Sequence, residues 1–214
     1  YCYAKDAGFP GVWAPGTPGL NGRATDGLTA ADAGCICPPD AGAGQFNYLT
    51  RFDTVQSVAG AAFLIDILWI NSGLVVTTTT AQAIAAPVSL PARDLNGTTG
   101  GLGVQMGILV TTATTNAGAI TNMTASYTNS NGNAGNTATV ASYPATAVIG
   151  TLVPLRLAAG DVGVRSVQSV TLGTSLGAGA VSLVLYRILD ISGNPLANAG
   201  QMTPGAAQSR GPGF

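Results

Sequence analysis

The residues of this 214-residue chain that could do acid–base, nucleophilic or metal chemistry are nine Asp and three Cys, because it contains no His, no Glu and only Lys5. General acid–base catalysis and nucleophile activation draw mostly on His, Glu, Lys and Cys, whose pKa values can be tuned toward neutrality. No pair of carboxylates and no nucleophile with a neighbouring base stands at a readable spacing. The sequence therefore predicts a protein that is not an enzyme and uses no cofactor.

The three cysteines lie in the first part of the chain, where Cys35 and Cys37 form a Cys-x-Cys pair distant from Cys2. A structural zinc site usually needs about four Cys or His ligands, so these three predict no metal site. A bond from Cys2 to either of the others would close a long loop and stabilise the fold by about 3–4 kcal/mol. Free thiols are the alternative, and the odd count leaves one cysteine unpaired or bonded to another chain.

Asp66 interrupts the apolar run FLIDILW. An ionised carboxylate in a buried strand needs a partner, so we expect a structural ion pair there. Arg51, Arg156 or Arg187 could supply the positive charge. An edge position that faces water is the alternative.

Asp161 and Arg165 are four residues apart across the stretch DVGVR. We expect either a loop salt bridge between them, which contributes less than about 1 kcal/mol, or a polar contact at a subunit boundary.

The chain has few charges, which limits its possible partners. Charged residues make up 8% of it and the formal net charge is −1, so no basic stripe is present and we expect no nucleic-acid partner. The apolar run over residues 59–76 is broken by Asp66 and Asn71 and falls short of the about 20 apolar residues that span a bilayer. It predicts a core strand, and we expect no membrane partner.

Gly- and Pro-rich segments at both ends divide the sequence into three parts. Residues 1–45 are dense in Gly and Pro and predict an extended N-terminal arm. Residues 46–191 contain short apolar or alternating runs between turns and predict an antiparallel β-sandwich or jelly-roll-like, all-β domain. Residues 192–214 return to Gly, Pro and Ala and predict a C-terminal tail. The arm residues that could pack on a partner, or on the domain itself, are Phe9, Val12, Trp13, Leu20 and Leu28.

Four local patterns within the predicted domain are informative. Asn131-Gly132, between the alternating runs TASYT and TATVASY, predicts a β-hairpin. The run GVRSVQSVTLG loses its alternation between Val164 and Val167, which indicates a β-bulge. The glycine-rich GTTGGLG (97–103) lacks the Lys and the following helix of a phosphate-binding loop and predicts a turn. The stretch TAQAIAAP could form one turn of helix before it ends at Pro87.

Three of these strings together resemble a known family. The chain is similar in sequence to tailed-bacteriophage virion structural proteins over three stretches: LVPLRLAAGDVGVRSVQSVTL from Leu152, SYTNSNGNAGNTATV and ILWINSGLVVTTTTAQAI. The resemblance covers about residues 12–189 and leaves out the cysteine-bearing start and the tail. Its motifs are structural strings and identify no catalytic residue.

The resemblance implies a component of the virus particle, and within it an auxiliary capsid protein of the decoration, or cement, type. Such a protein would lie on the outer surface of the capsid and bind the major capsid protein. Decoration proteins of tailed phages are often trimers at local threefold axes, so the resemblance also implies further copies of the chain as partners. An arm that crosses between subunits would add avidity without any chemistry.

Three other functions fit the same residues. A tail or tube component of the virion would form rings or stacked arrays. A secreted, self-assembling filament or adhesin subunit would share the Thr, Asn and Gly content and could donate its arm as a strand. A carbohydrate-binding sandwich could use Trp13 and Trp69 to stack on sugar rings, although Trp69 lies in a run that predicts burial.

Overall fold

The computed structural model describes residues 22–24, 51–55, 60–84, 88–194 and 200–204, and within them all regular structure is β-strand. The all-β prediction is confirmed. No helix within these ranges is long and apolar enough to cross a bilayer. The strands are β1 (Gly22–Ala24), β2 (Arg51–Val55), β3 (Gly60–Ser72), β4 (Ala81–Ala83), β5 (Gln105–Thr112), β6 (Thr124–Asn129), β7 (Asn136–Val140), β8 (Leu152–Arg156), β9 (Val164–Thr171), β10 (Ala180–Asn194) and β11 (Gly200–Pro204).

Nine of the strands form one sheet in the order β1-β3-β10-β5-β8-β7-β6-β9-β4, in which every pairing is antiparallel. The remaining two, β2 and β11, pair with each other. The longest pairing joins β3 and β10, which run side by side from Ser72 and Ser182 at one end to Gly60 and Asn194 at the other. Strand β5 accompanies β10 only as far as Tyr186, so the far part of this pair extends past β5 as a two-stranded ribbon.

The sheet curves around its core, because backbone hydrogen bonds join strands that are far apart in the strand order. Gly103 N–H donates to the carbonyl of Val162 at 2.9 Å, and Val164 N–H donates to the carbonyl of Val104 at 3.1 Å. These bonds bring the start of β9 next to the chain that enters β5. One buried cluster therefore takes side chains from both halves of the sheet, among them Leu68, Met106, Tyr127, Val167 and Leu183. The division into two packed sheets, as in a sandwich or jelly roll, stays a prediction.

Burial along β9 repeats every three residues instead of every two. Val164, Val167 and Val170 are buried, and the residues between them are partly or fully exposed. The register against β6 skips Arg165 and Gln168, so the strand contains two bulges. Each bulge inserts one residue and shifts the alternation, which is how Val residues three apart reach the same face. The bulge predicted between Val164 and Val167 is confirmed, and a second one follows it.

The hairpin predicted at Asn131-Gly132 is also confirmed, since β6 and β7 pair antiparallel around it. The connection is longer than the two-residue turn typical of Asn-Gly, because pairing stops at Tyr127 and Asn136. Inside this loop Gly132 and Gly135 adopt positive φ angles of 86° and 81°. The Asn129 carboxamide oxygen accepts hydrogen bonds from the backbone N–H groups of Asn131 and Asn133 and holds the loop closed.

The predicted segment boundaries differ from the strand boundaries. Strand β10 continues to Asn194, past the predicted end of the domain at residue 191, and β11 lies within the predicted tail. Strand β1 lies within the predicted arm and pairs with Trp69–Asn71 of β3. The expected turn of helix in TAQAIAAP is wrong where the structure describes it, because Ala81–Ala83 form an edge strand against β9. Residues 85–87 lie outside the described part.

Candidate functional site

Asp66 forms the ion pair that its place in the apolar run predicts, but with an arginine that the sequence analysis did not name. The Arg93 guanidinium donates from Nε to Asp66 Oδ2 and from Nη2 to Asp66 Oδ1, both at 3.2 Å. The two side chains are 17% and 13% exposed, so the pair is mostly shielded from water. Arg93 comes from the loop after β4, and no sequence pattern links that loop to β3. The alternative of an edge position that faces water is wrong, because the Asp66 side chain is only 13% exposed.

Arg187 lies directly across from Asp66 in the β3–β10 pairing. Its Nη1 donates to the backbone carbonyl of Asp94 at 3.0 Å. Burial lowers the pKa of the Arg187 guanidinium, and the Asp66 carboxylate opposes that effect. Arg187 is thus near Asp66, as expected, but its hydrogen bond goes to the loop. Arg156 is exposed on β8, and the side chain of Arg51 lies outside the described part.

Asp94 organises the loop of residues 94–103, which contains GTTGGLG and which we call the Asp94 loop. Its carboxylate accepts hydrogen bonds from Thr98 N–H at 2.6 Å, Thr98 Oγ1 at 2.7 Å, Asn96 N–H at 3.0 Å and Leu102 N–H at 3.2 Å. Burial raises the pKa of the Asp94 carboxyl, but the bonds from Thr98, Asn96 and Leu102 outweigh burial and hold the pKa below its ordinary value. With its oxygens occupied in this way, the carboxylate holds a turn together, and the predicted turn is confirmed.

The Asp161 carboxylate is also used structurally. Its Oδ2 accepts a short hydrogen bond from the Tyr127 hydroxyl, and its Oδ1 accepts from Asn129 Nδ2 at 2.7 Å. Tyr127 accepts a bond from the Ala158 N–H at 2.9 Å. Burial and the bond to Asp161 raise the pKa of Tyr127 to about 12, against the opposing effect of the Ala158 N–H. This network fastens the β6–β7 hairpin to the turn before β9.

The expected salt bridge between Asp161 and Arg165 is not formed among the described side chains. Asp161 turns toward Tyr127 and Asn129, whereas Arg165 is the inserted residue of a bulge and is exposed. Bulges redirect side chains, which is the physical reason that a four-residue spacing did not give a contact.

Arg165 instead lines an open cleft of about 350 Å³, which we call the Arg165 cleft. Three segments form it: the chain at residues 88–90, the loop that Asp94 organises, and the β6–β9 surface. Val88 and Leu90 supply apolar groups, and Gly132 of the hairpin loop lies beside the Arg165 guanidinium. The hydroxyl groups that line the cleft belong to Ser89, Thr99, Thr128 and Ser166.

A second surface feature runs along the β3–β10 ribbon. Phe63 lies opposite Ile191, and Ile65 lies opposite Ile188, all on one face of the ribbon. We call these four residues the apolar row. The row continues from a buried cluster on the same face that contains Ile70, Leu109, Val184 and Tyr186. Exposure rises along it, to 54% at Phe63 and 48% at Ile191.

Val148 and Ile149 form a third feature at a loop tip, where they are 65% and 59% exposed. The backbone on both sides is held, since Thr114 N–H donates to the Ala147 carbonyl and Gly150 N–H donates to the Val110 carbonyl. Thr146, just before the tip, has a φ of 46°, a conformation that is strained for a β-branched residue. The loop thus presents two adjacent aliphatic side chains on a fixed backbone.

The remaining predicted site residues are accounted for as follows. Trp69 is fully buried in the core, so it does not offer a ring for stacking on sugar. No group of three or more metal-ligating side chains occurs among the described residues. The three cysteines and the five apolar arm residues named above lie outside the described part, and their roles stay predictions.

Neither the apolar row nor the Arg165 cleft was predicted as a site. The row could have been read from Phe63, Ile65, Ile188 and Ile191, but only with the pairing of β3 and β10 in hand. Comparison of the chain with protein-family models, curated proteins and solved structures finds no match in any of the three.

Proposed function

We propose that this protein is a non-enzymatic structural component of a tailed-phage virion, and that it acts as a capsid decoration protein which bridges subunits of the shell. The apolar row on the β3–β10 ribbon carries this proposal. Exposed apolar residues that continue from a buried cluster are typical of protein–protein interfaces. In a chain with 8% charged residues, such a face favours packing against other protein.

The chemistry of the described Asp residues supports the same function. Asp66 and Asp161 each hold two distant parts of the chain together through hydrogen bonds, and Asp94 holds a turn together. These are the contacts of a rigid building block. A particle protein of this kind stabilises a shell by repeating one modest interface many times.

The test is to delete the gene from the phage that encodes this chain and to add the purified protein back. For a decoration protein we expect heads that still assemble with normal tails but release their DNA at a lower temperature. The added protein should restore heat resistance, and electron microscopy should show it on the shell, at threefold positions if it is a trimer. Adding back the Phe63→Thr/Ile191→Thr variant should restore less.

Other outcomes of this experiment separate the alternatives. Short or missing tails, with the chain in rings along the tail, would assign it to the tail or tube instead. Particles that never contain the chain would overturn the proposal, and filaments of the purified protein would then favour the secreted subunit.

A further inference from the structure

We propose that the Arg165 cleft binds an acidic sugar, that is, a saccharide ring that carries a carboxylate. The cleft lies where three strings of the sequence meet: GTTGGLG supplies Thr99, SYTNSNG supplies Thr128, and GVRSVQSV supplies Arg165 and Ser166. The proposal goes beyond the structural role above and does not depend on it.

Arg165 supplies a positive charge to the cleft. Arg165 has no carboxylate partner among the described side chains, because Asp161, the nearest acid in sequence, is engaged by Tyr127 and Asn129. Arg165 is the inserted residue of a bulge in β9, and its Nη1 lies 3.6 Å from the position that a Cβ on Gly132 would occupy. An arginine fork binds a carboxylate through two parallel charge-assisted hydrogen bonds. The charge in the cleft therefore selects a planar anion.

Residues that carry hydroxyl groups line the cleft beside Arg165. Gln168 Nε2 donates to Thr128 Oγ1 at 3.1 Å and to Ser166 Oγ at 3.0 Å. Because both oxygens already accept a hydrogen bond, their own protons are free to donate to a ligand. Ser89 and Thr99 add two more hydroxyl groups to the lining. This set matches the hydroxyls of a sugar ring.

The apolar wall and the volume of the cleft also suit a sugar ring. Val88 and Leu90 give the cleft an apolar side, and a sugar ring presents C–H groups on one face. A volume of about 350 Å³ is at the small end of ligand pockets and suits one or two rings. A phosphate backbone is disfavoured, since it binds to tracks of several cations and the described residues of the lining include one, Arg165.

The cleft is also built on fixed backbone. A methyl group on Gly101 would lie 2.1 Å from the carbonyl oxygen of Val164, and one on Gly163 would lie 2.1 Å from that of Gly101. The Asp94 loop and the start of β9 are thus in direct backbone contact. A site that needs little ordering when it binds loses less free energy to immobilisation.

The experiment is a titration of the ¹⁵N-labelled full chain with glucuronate, glucose and acetate, followed by amide chemical shifts. We expect saturable shifts at Thr99, Thr128 and Arg165 with glucuronate. Glucose lacks the carboxylate and acetate lacks the ring hydroxyls, so each should bind at least about tenfold more weakly, the factor expected for losing a charge-assisted bond or several neutral ones.

Variants identify the groups responsible. Arg165→Gln should weaken glucuronate binding by about tenfold or more, whereas Arg156→Gln, which removes an exposed charge on β8, should leave it unchanged. Ser166→Ala should weaken glucuronate but not acetate. No saturable shift, or equal binding by Arg165→Gln, would overturn the proposal. Acetate binding as tightly as glucuronate would also overturn it and would indicate a site for an acidic protein side chain.

Discussion

Two regions of the sheet differ in whether their polar side chains form hydrogen bonds. In the hairpin half, made of β6, β7, β9 and the Asp94 loop, Asp94, Asp161 and Asn129 have their side-chain oxygens occupied by hydrogen bonds. In the ribbon half, made of β3 and β10, several buried polar atoms have no hydrogen-bond partner within the described part of the chain. These are Trp69 Nε1, both amide atoms of Asn71, Ser182 Oγ, Arg187 Nε and Asp190 Oδ2. Ser130 Oγ is the one such atom described in the hairpin half.

The difference separates the part that fixes the fold from the part that offers surface. Leaving one buried polar group unpaired costs about 1–3 kcal/mol. The unpaired atoms therefore lower the free energy of unfolding more in the ribbon half than in the hairpin half. The same ribbon carries the apolar row. We infer that the hairpin half is the rigid frame, and we propose that the ribbon half presents a surface for packing against another protein.

The largest effect on stability is expected at Gly163, where the backbone at the start of β9 contacts the backbone of the Asp94 loop. Gly163→Ala would place a methyl group 2.1 Å from the Gly101 carbonyl oxygen and 2.8 Å from the Gly103 nitrogen. Both neighbours are backbone atoms, so the start of β9 or the Asp94 loop must move. We expect a loss of at least about 3 kcal/mol in the free energy of unfolding, measured by urea denaturation.

Gly118→Ala is the matched control, because a methyl group there meets nothing within 4 Å and its φ is not positive. It should change stability by less than about 0.5 kcal/mol. Equal losses for the two variants would mean that the contact between Gly101 and Gly163 is not a tight point of the frame.

A smaller effect is expected for the ion pair at the junction of the two halves. Asp66→Asn removes the charge that faces both Arg93 and Arg187 and leaves two guanidinium groups close together. We expect destabilisation by about 2–3 kcal/mol, because a largely buried cation loses its partner. Urea denaturation at low and high salt checks it.

Asp190→Asn provides the comparison on the same ribbon. Asp190 Oδ2 is buried without a partner, so removal of this charge should leave stability unchanged or raise it by up to about 1 kcal/mol. A larger loss for Asp190→Asn than for Asp66→Asn would contradict the assignment of Asp66 as the structural acid.

The next effect depends on pH and belongs to the hairpin half. The pKa of Tyr127 is about 12 in the fold against 10 for an ordinary tyrosine. Between these values the unfolded chain loses the proton and the folded chain keeps it, so stability is fully present below pH 10 and falls as pH rises toward 12. Tyr127→Phe should make this fall shallower, by the contribution of one proton.

The same variant should lose about 1–2 kcal/mol at pH 7, because it removes the hydrogen bonds to Asp161 and from the Ala158 N–H. Burial also raises the pKa values of Tyr143 and Tyr186, so part of the alkaline slope should remain. Denaturation midpoints from pH 8 to pH 12 measure both effects. An unchanged slope would show that Tyr127 ionises normally in the folded chain.

The two halves also differ in how well the sequence predicted them. The β6–β7 hairpin and the bulge after Val164 were predicted because alternation and Asn-Gly are local signals on strands with one wet face. Arg93 as the partner of Asp66 was not, because the two are 27 residues apart and meet only when the loop folds over β3. The Arg165 cleft needed three distant segments together. Neither the Arg93–Asp66 pair nor the Arg165 cleft was predicted, because both depend on contacts between residues far apart in the sequence, which no local pattern indicates.

The smallest effect on stability, and the most direct test of the contrast, is expected at the apolar row. Phe63→Thr/Ile191→Thr replaces two side chains that are about half exposed with Thr, a β-branched residue that is favoured in strands. Stability should change by less than about 0.5 kcal/mol per site. Association of the purified chain, measured by sedimentation velocity over a concentration series, should weaken. Val148→Thr/Ile149→Thr removes a similar amount of exposed apolar surface at the loop tip and should leave association unchanged. If the tip variant rather than the row variant abolished association, the loop tip would be the packing surface, and the ribbon half would have lost its assigned role.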